Sequence, residues 1–202
     1  MDEIILVGAG GHTRSCIDVI EISGNFKIAG LVEKKDTTIK GNLGYPIVGL
    51  DKDLPELRKK YMFALVTIGQ IKSPTIRVNL FSLLKELDFH LPIIISPRAY
   101  VSNHSKIGDG TIIMHNSIIN ANAIIGENCI INNNVLIEHD AKVDNHCHVS
   151  TGAIVNGNVH VGSKSFIGSG VITKESISIG SNSIIGAGVV IKKDVNSNQL
   201  IK

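Results

Sequence analysis

Residues 121–162 read ANAIIGENCIINNNVLIEHDAKVDNHCHVSTGAIVNGNVHVG. Every sixth position is Ile or Val: Ile125, Ile131, Ile137, Val143, Val149, Val155 and Val161. Followed outward, the register runs without insertion from Ile95 through Val101, Ile107, Ile113 and Ile119, and onward through Ile167, Thr173, Ile179 and Ile185 to Ile191. Among these leaders Thr173 alone is neither Ile nor Val. Four positions beyond each leader stands a small or β-branched residue, as at Ala123, Cys129, Val135, Ala141, Cys147 and Ala153. A period of six suits neither an α-helix nor an ordinary strand. It is the signature of a parallel β-helix in which each hexad supplies one flat face and a turn, so that three hexads close a coil of about 18 residues. Leaders stack inside the prism, small partners fill its corners, and neighbouring coils pair through their backbones.

Residues 1–94 follow another rule. EIILVGA, FKIAGLVE, FALVTIG and LPIII read as four strands. Between them HTRSCIDVIEIS, LPELRKK and SPTIRVNLFSLLKELD read as helices, the last with Ser73 as N-cap and Pro74 at the first helical position. Strand–helix alternation predicts a parallel sheet with right-handed crossovers. The expected organisation is an α/β Rossmann-like domain over 1–94 and an all-β helix over 95–202.

Composition narrows the function classes. The 202 residues are 43% hydrophobic, enough for a sizeable core, and the formal net charge is +2, which gives no electrostatic case for nucleic acid or an acidic membrane. Aromatics make up 4% and Trp is absent, against base stacking. The apolar runs are strand-sized, so no membrane span is expected. The N-terminus MDEIILVGAGGH does not read as a signal peptide. Cys16, Cys129 and Cys147 form neither a disulfide framework nor a zinc knuckle. The expected compartment is the cytoplasm, and all three cysteines are expected to pack in cores.

The hexad register also sorts the polar cluster at 139–148. His139 is third in its hexad, between Ala121 and Gly157 one coil away on either side, and so projects from a hollow of minimal side chains. Asp140 beside it, between Asn122 and Asn158, can orient the imidazole as in an acid–base pair. His146, between Asn128 and Lys164, reads as a solvated surface residue. His148, between Ile130 and Phe166, has an apolar neighbourhood. The rival reading, a zinc site of His139, His146 and His148, would need convergence across a subunit boundary, because these residues fall on successive faces. In the first domain GAGGH lies between a strand and a helix, where backbone N–H groups can meet a phosphate. Arg14 and Ser15 stand where a dinucleotide motif has its third glycine, so NAD is not expected.

With VGAGGH, LVTIG, SPRAYVS and LIEHDAKVDNHCHVSTGAIVNGNVHVG in this order and spacing, the chain resembles the sialic-acid-type sugar O-acyltransferases. It is more closely similar to bacterial nucleotide-sugar N-acetyltransferases acting on the 4-amino group of a UDP- or GDP-linked amino-deoxy sugar. The resemblance implies a left-handed β-helix, a homotrimer, acetyl-CoA in the groove between two prisms, no metal, and the nucleotide on the first domain. It implies His139 as general base with Asp140, more often Glu in the family, as its acidic partner. It places His148, Gly157, Ser169 and Ala187 along acetyl-CoA, and Gly10, Gly11, His12, Glu33, Gly69 and Asn132 toward the sugar nucleotide. Two departures stand out. Glu33 and Lys34 occupy the place where the family often has consecutive Asp residues at the base, and the usual C-terminal Gly-x-Pro-Ala is missing, leaving Lys192 and Lys193 as candidates for CoA phosphates. The activity so implied is acetyl transfer from acetyl-CoA to an amino sugar. Its alternatives are O-acetylation of a sialic-acid-like sugar and a non-catalytic sugar-nucleotide-binding scaffold.

Overall fold

The computed structural model describes residues 1–34, 38 and 40–202. Lys35, at the end of LVEKK, lies outside them. In the first domain strands β1 (Asp2–Val7), β2 (Phe26–Glu33), β3 (Gly41–Asn42), β4 (Tyr45–Leu50) and β5 (Phe63–Val66) form one sheet in the order β3-β4-β2-β1-β5. All neighbours are parallel except the β3–β4 hairpin. Successive side chains of β1 point to opposite faces, and each face meets a different layer. Ile4 and Leu6 pack with Cys16, Ile17 and Ile20 of α1 (Gly11–Ser23). Ile5 and Val7 pack with Leu54 of α2 (Leu54–Lys60) and with Leu80, Phe81 and Leu84 of α3 (Thr75–Glu86). Helix α3 begins one residue later than the sequence predicts. Pro74 is the N-cap, and Ser73 Oγ accepts the Thr75 N–H at 3.2 Å.

Two elements differ from expectation. The β3–β4 hairpin is unheralded because its tip is Leu43–Gly44, with Leu43 at φ +46 and Gly44 at φ +85. A two-residue hairpin needs positive φ at both central positions, and Asn-Gly is its usual sequence signal. LPIII does not supply a fourth strand to the first sheet. Its Ile94–Ile95 pairs with Ile112–Ile113 and opens the β-helix, while the first sheet gains only a bridge between Phe63 and His90. A short apolar run reads the same in either setting.

The β-helix has three faces. The first carries Ile94–Ile95, Ile112–Ile113, Ile130–Ile131, His148–Val149, Phe166–Ile167, Ile184–Ile185 and Leu200–Ile201. The second carries Tyr100–Val101, Ile118–Ile119, Leu136–Ile137, Ile154–Val155, Ile172–Thr173 and Val190–Ile191. The third carries Lys106–Ile107, Ile124–Ile125, Lys142–Val143, His160–Val161 and Ser178–Ile179. Leaders and small partners, Cys129 and Cys147 included, share one buried core. Thr173, the exceptional leader, is fully buried and its Oγ1 accepts the Asn156 N–H at 2.9 Å. The fourth position of the hexads recurrently turns through positive φ, as at Asn116, Asn122, Asn128, Asn134, Asp140, His146 and Asn158. Asn and Asp tolerate that region better than other side chains, which explains the Asn-rich turns.

Helix α1 seals the outer side of the first face: Ile94, Ile112 and Ile130 belong to the same core as Cys16, Ile17 and Ile20. His115 bridges the two domains, with Nε2 2.8 Å from Asp18 and Nδ1 2.6 Å from Ser96 Oγ. The second face is left uncovered and apolar: Tyr100, Ile118, Ile172 and Val190 are exposed, with Leu136 and Ile154 half-buried between them. The third face presents Lys106, Lys142, His160 and Ser178 instead. Among the described residues no helix is long and apolar enough to cross a membrane.

Candidate active site

The corner after the second face holds His139. Its Nδ1 donates to Asp140 Oδ2 at 2.8 Å, and Asp140 Oδ1 accepts Asn122 Nδ2 at 2.6 Å. The carboxylate can only accept, so the neutral ring carries its proton on Nδ1 and its lone pair on Nε2. Glu138 Oε2 accepts the His139 N–H at 3.2 Å and Asn120 Nδ2 at 2.8 Å, which fixes the backbone under the ring. The hydrogen bond to Asp140 raises the His139 pKa above its ordinary value, and the same bond, with that from Asn122, lowers Asp140. The His139 side chain remains 66% exposed. Gly157 stacks on the ring. A Cβ there would stand 3.0 Å from both Cε1 and Nε2, so glycine keeps the space against that side of the ring clear. The hollow inferred from Ala121 and Gly157 is therefore present, and the spacing of donor, ring and open edge is that of an oriented general base.

The residues expected along acetyl-CoA do not gather at this corner within one chain. Gly157 is beside His139. Ser169, Ala187 and Asn132 lie on the corner before the second face, where Ser169 Oγ is 2.9 Å from Ser150 Oγ and Asn132 Oδ1 accepts the Asn133 N–H. The uncovered apolar face separates the two corners. His148 lies elsewhere again. It is 6% exposed on the first face, donates from Nδ1 to the Gln70 carbonyl, and stands with its ring centroid 6.4 Å from that of His12. The structure thus groups His148 with the first domain rather than with Ser169 and Ala187. Burial lowers His12 to about 3 and His148 to about 4, helped for both by the Arg77 guanidinium, so both rings are neutral near pH 7. His12 Nε2 and His148 Nε2 are buried without a partner among the described residues. His146 is not the solvated residue expected: its ring meets the Phe81 ring edge-on at 5.6 Å, and its carbonyl accepts Gln70 Nε2 at 2.9 Å. His139 occupies a different corner from both, and no group of three or more His, Cys, Asp or Glu among the described residues is placed to hold a metal. Cys16, Cys129 and Cys147 are free and fully buried, and burial pushes the Cys16 thiol up to about 12, so none is a nucleophile.

A second cavity opens at the carboxyl ends of β1 and β5, where the strand order reverses. That crevice is the usual ligand site of open parallel sheets. Gly8, Gly10, Gly11, His12, Glu33, Lys34, Asp51, Thr67 and Gly69 are among its walls, so five residues expected toward the sugar nucleotide come together. Asn132, on the β-helix, is not among them. Glu33 has taken up local work: Oε2 accepts the Ala9 N–H at 2.9 Å and Oε1 the Lys34 N–H at 3.0 Å. Thr67, missed from sequence, locks the floor. Its Oγ1 donates to the Gly8 carbonyl at 3.0 Å and accepts from Thr13 Oγ1 at 3.2 Å. Gln70 and Thr67 follow an ordinary strand and carry no local signal; their partners lie 54 to 78 residues away.

Two family models match the chain: the PglD N-terminal domain over residues 3–82 and the bacterial transferase hexapeptide (six repeats) over residues 104–139. Similar solved structures include a histidine-to-asparagine mutant of perosamine N-acetyltransferase from Caulobacter crescentus in complex with CoA and GDP-perosamine. It is 30% identical with a TM-score of 0.92, over 99% of this chain and 93% of that one. The acetyltransferase domain of PglB from Neisseria gonorrhoeae, in complex with acetyl coenzyme A, is 28% identical with a TM-score of 0.90, over 98% and 94%. A UDP-N-acetylbacillosamine N-acetyltransferase of Bacillus subtilis is 31% identical over 114 residues, which are 56% of this chain and 52% of that protein. The match thus spans about half the length of that relative.

Proposed function

The chain belongs to the acetyltransferase family that joins a PglD N-terminal domain to bacterial hexapeptide repeats, and on that premise we propose that it acetylates the amino group of a nucleotide-linked amino-deoxy sugar with acetyl-CoA. The observation that carries this reading is His139, oriented through Nδ1 by Asp140, accessible to solvent and with room beside it left by Gly157. The relatives named N-acetyltransferases favour nitrogen as acceptor over the hydroxyl of a sialic-acid-like sugar.

The amine lone pair attacks the thioester carbonyl carbon while His139 Nε2 takes a proton from that nitrogen. The Gly157 N–H, which has no acceptor among the described residues, is offered to the oxyanion. Collapse breaks the C–S bond, and the imidazolium returns its proton to the departing thiolate. The products are an N-acetyl sugar nucleotide and free CoA. Transfer is direct, since no cysteine is available.

A cytoplasmic homotrimer is the assembly that fits. The apolar row on the second face needs cover, and exposed patches of this kind mark interaction sites. Packing three such faces about an axis sets the His139 corner of one copy against the Asn132–Ser169–Ala187 corner of the next, which brings Gly157 to Ser169 and Ala187, three of the four residues expected along acetyl-CoA. Lys193 shares the His139 corner three coils on, about 14 Å away at ~4.8 Å per coil, a reach suited to CoA phosphates; the coils between are in unbroken register. The test is release of free CoA across a panel of UDP- and GDP-amino sugars and free nonulosonic acids. Release with the nucleotide amino sugars alone supports the reading. Release only with the nonulosonic acids, or with no acceptor while nucleotide sugars bind, contradicts it.

A further inference from the structure

We infer that Asn42, at the tip of the β3–β4 hairpin, is a positioning residue that aims the glycine loop at the diphosphate of the nucleotide sugar. The inference rests on the reading of the first-domain cavity as the nucleotide-sugar site. Asn42 is 8% exposed although it belongs to a two-residue strand at the sheet edge. Its Nδ2 donates to the Ala9 carbonyl at 2.8 Å and to the Gly10 carbonyl at 3.0 Å. Its Oδ1 accepts Arg14 Nε at 3.1 Å, which fixes the orientation of the amide and so identifies the end that donates.

The consequence follows from peptide geometry. In a trans peptide the C=O and the following N–H point in opposite directions. Holding the Ala9 and Gly10 carbonyls toward the hairpin turns the Gly10 and Gly11 N–H groups away from it. The cavity lies on that far side. Gly10 and Gly11 line it, whereas none of the hairpin residues 41–46 does. Neither N–H has an acceptor among the described residues. Gly10 and Gly11 have no side chains to set these peptide planes, and glycine is the residue most free to rotate them. On the opposite flank Glu33 holds only the Ala9 N–H. A Cβ on Gly10 or Gly11 would meet nothing within 4 Å, so open space flanks both glycines, while Ala9 before them is packed in the core. Asn42 thus holds the Ala9–Gly10 plane and reinforces the Gly10–Gly11 plane, whose carbonyl, at the N-cap, also begins the hydrogen bonding of α1. Two aligned N–H groups at the positive end of α1 suit a diphosphate.

Asn42→Asp tests this directly. It keeps the acceptor for Arg14 but loses the donor, and it sets a carboxylate against two carbonyls. Asn42→Ser keeps one shorter donor and serves as the milder variant should the first fold poorly. UDP and GDP binding to the full-length protein is measured by calorimetry, with acetyl-CoA binding and thermal melting alongside. The expected result is a graded loss of nucleotide affinity, wild type above Asn42→Ser above Asn42→Asp, at least tenfold at the end. Acetyl-CoA affinity should be unchanged, and for the folded variants the effect should fall on KM for the sugar nucleotide rather than on kcat. Wild-type nucleotide affinity in Asn42→Asp or Asn42→Ser, or an equal loss of acetyl-CoA binding, overturns the inference alone. Failure of the wild-type protein to bind either nucleotide overturns the reading of the cavity and the inference with it.

Discussion

Two regions of the molecule use histidine in opposite ways. At the corner after the second face, His139 stands 66% exposed with a carboxylate on Nδ1, and that bond raises its pKa. At the seam between the domains, His12 and His148 are enclosed beside a buried arginine, and burial drives them to about 3 and about 4. The first setting strengthens a solvent-accessible ring as a proton acceptor, as a base requires. The second fixes two rings in the neutral form and leaves each with an unpartnered Nε2, which in His148 can only accept because Nδ1 donates to Gln70. Neighbourhood, not residue type, assigns the role.

Variants can break or sharpen that contrast. The largest effect is expected for His139→Ala: kcat falls about 10²- to 10⁴-fold, the usual worth of a general base. Calorimetry on the same variant should find nucleotide and acetyl-CoA binding intact, because the first-domain cavity and the backbone of both corners are untouched. Next comes the double change Ile118→Glu and Ile172→Glu on the exposed apolar row. Light scattering should show the mass of a single chain, and turnover should fall with it while nucleotide binding persists, since only the two corners are parted. An unaltered oligomer would remove the case for a shared site.

Asp140→Asn has a smaller consequence with a definite sign. Asp140 raises the His139 pKa, and only the neutral ring can accept a proton. The acidic limb of kcat/KM should therefore lie above the ordinary imidazole value in wild type and move to lower pH in the variant. A limb that stays in place assigns it to another group. The seam bears on stability rather than on turnover. His12 and His148 bind protons more weakly folded than unfolded, so the stability they confer is present above the unfolded value of 6.5. It is lost as pH falls from there toward 4, by roughly 1.4 kcal/mol per pH unit for each ring. Urea unfolding across that range checks the slope; a flat stability curve would mean that neither ring is held neutral.

The β-helix was legible residue by residue because every leader meets its own kind one coil away. The same arithmetic placed Gly157 over His139 and Asn122 beside Asp140 before any coordinates. It could not tell what covers the outer side of a face. That is why His146 reads as solvated yet meets Phe81, and why LPIII reads as a fourth strand of the first sheet yet opens the β-helix. The β3–β4 hairpin escaped because Leu43–Gly44 lacks the usual turn residues. Thr67, Gln70 and Asn42 escaped because their roles exist only through partners 28 or more residues away. Glu33 was found as a cavity residue, but its hold on the Ala9 N–H depends on a loop fold that spacing does not encode.

The central claim is that His139 draws a proton from a sugar amine as the acetyl group arrives. Its most direct test is a single turnover with labelled acetyl-CoA and a UDP- or GDP-linked amino sugar, comparing wild type with His139→Ala by mass spectrometry of the sugar. Wild type should place one acetyl group on the amine with one equivalent of free CoA released, and the variant should leave the sugar unmodified over the same interval. Label on a hydroxyl, or N-acetyl product formed at the wild-type rate by the variant, would contradict the account.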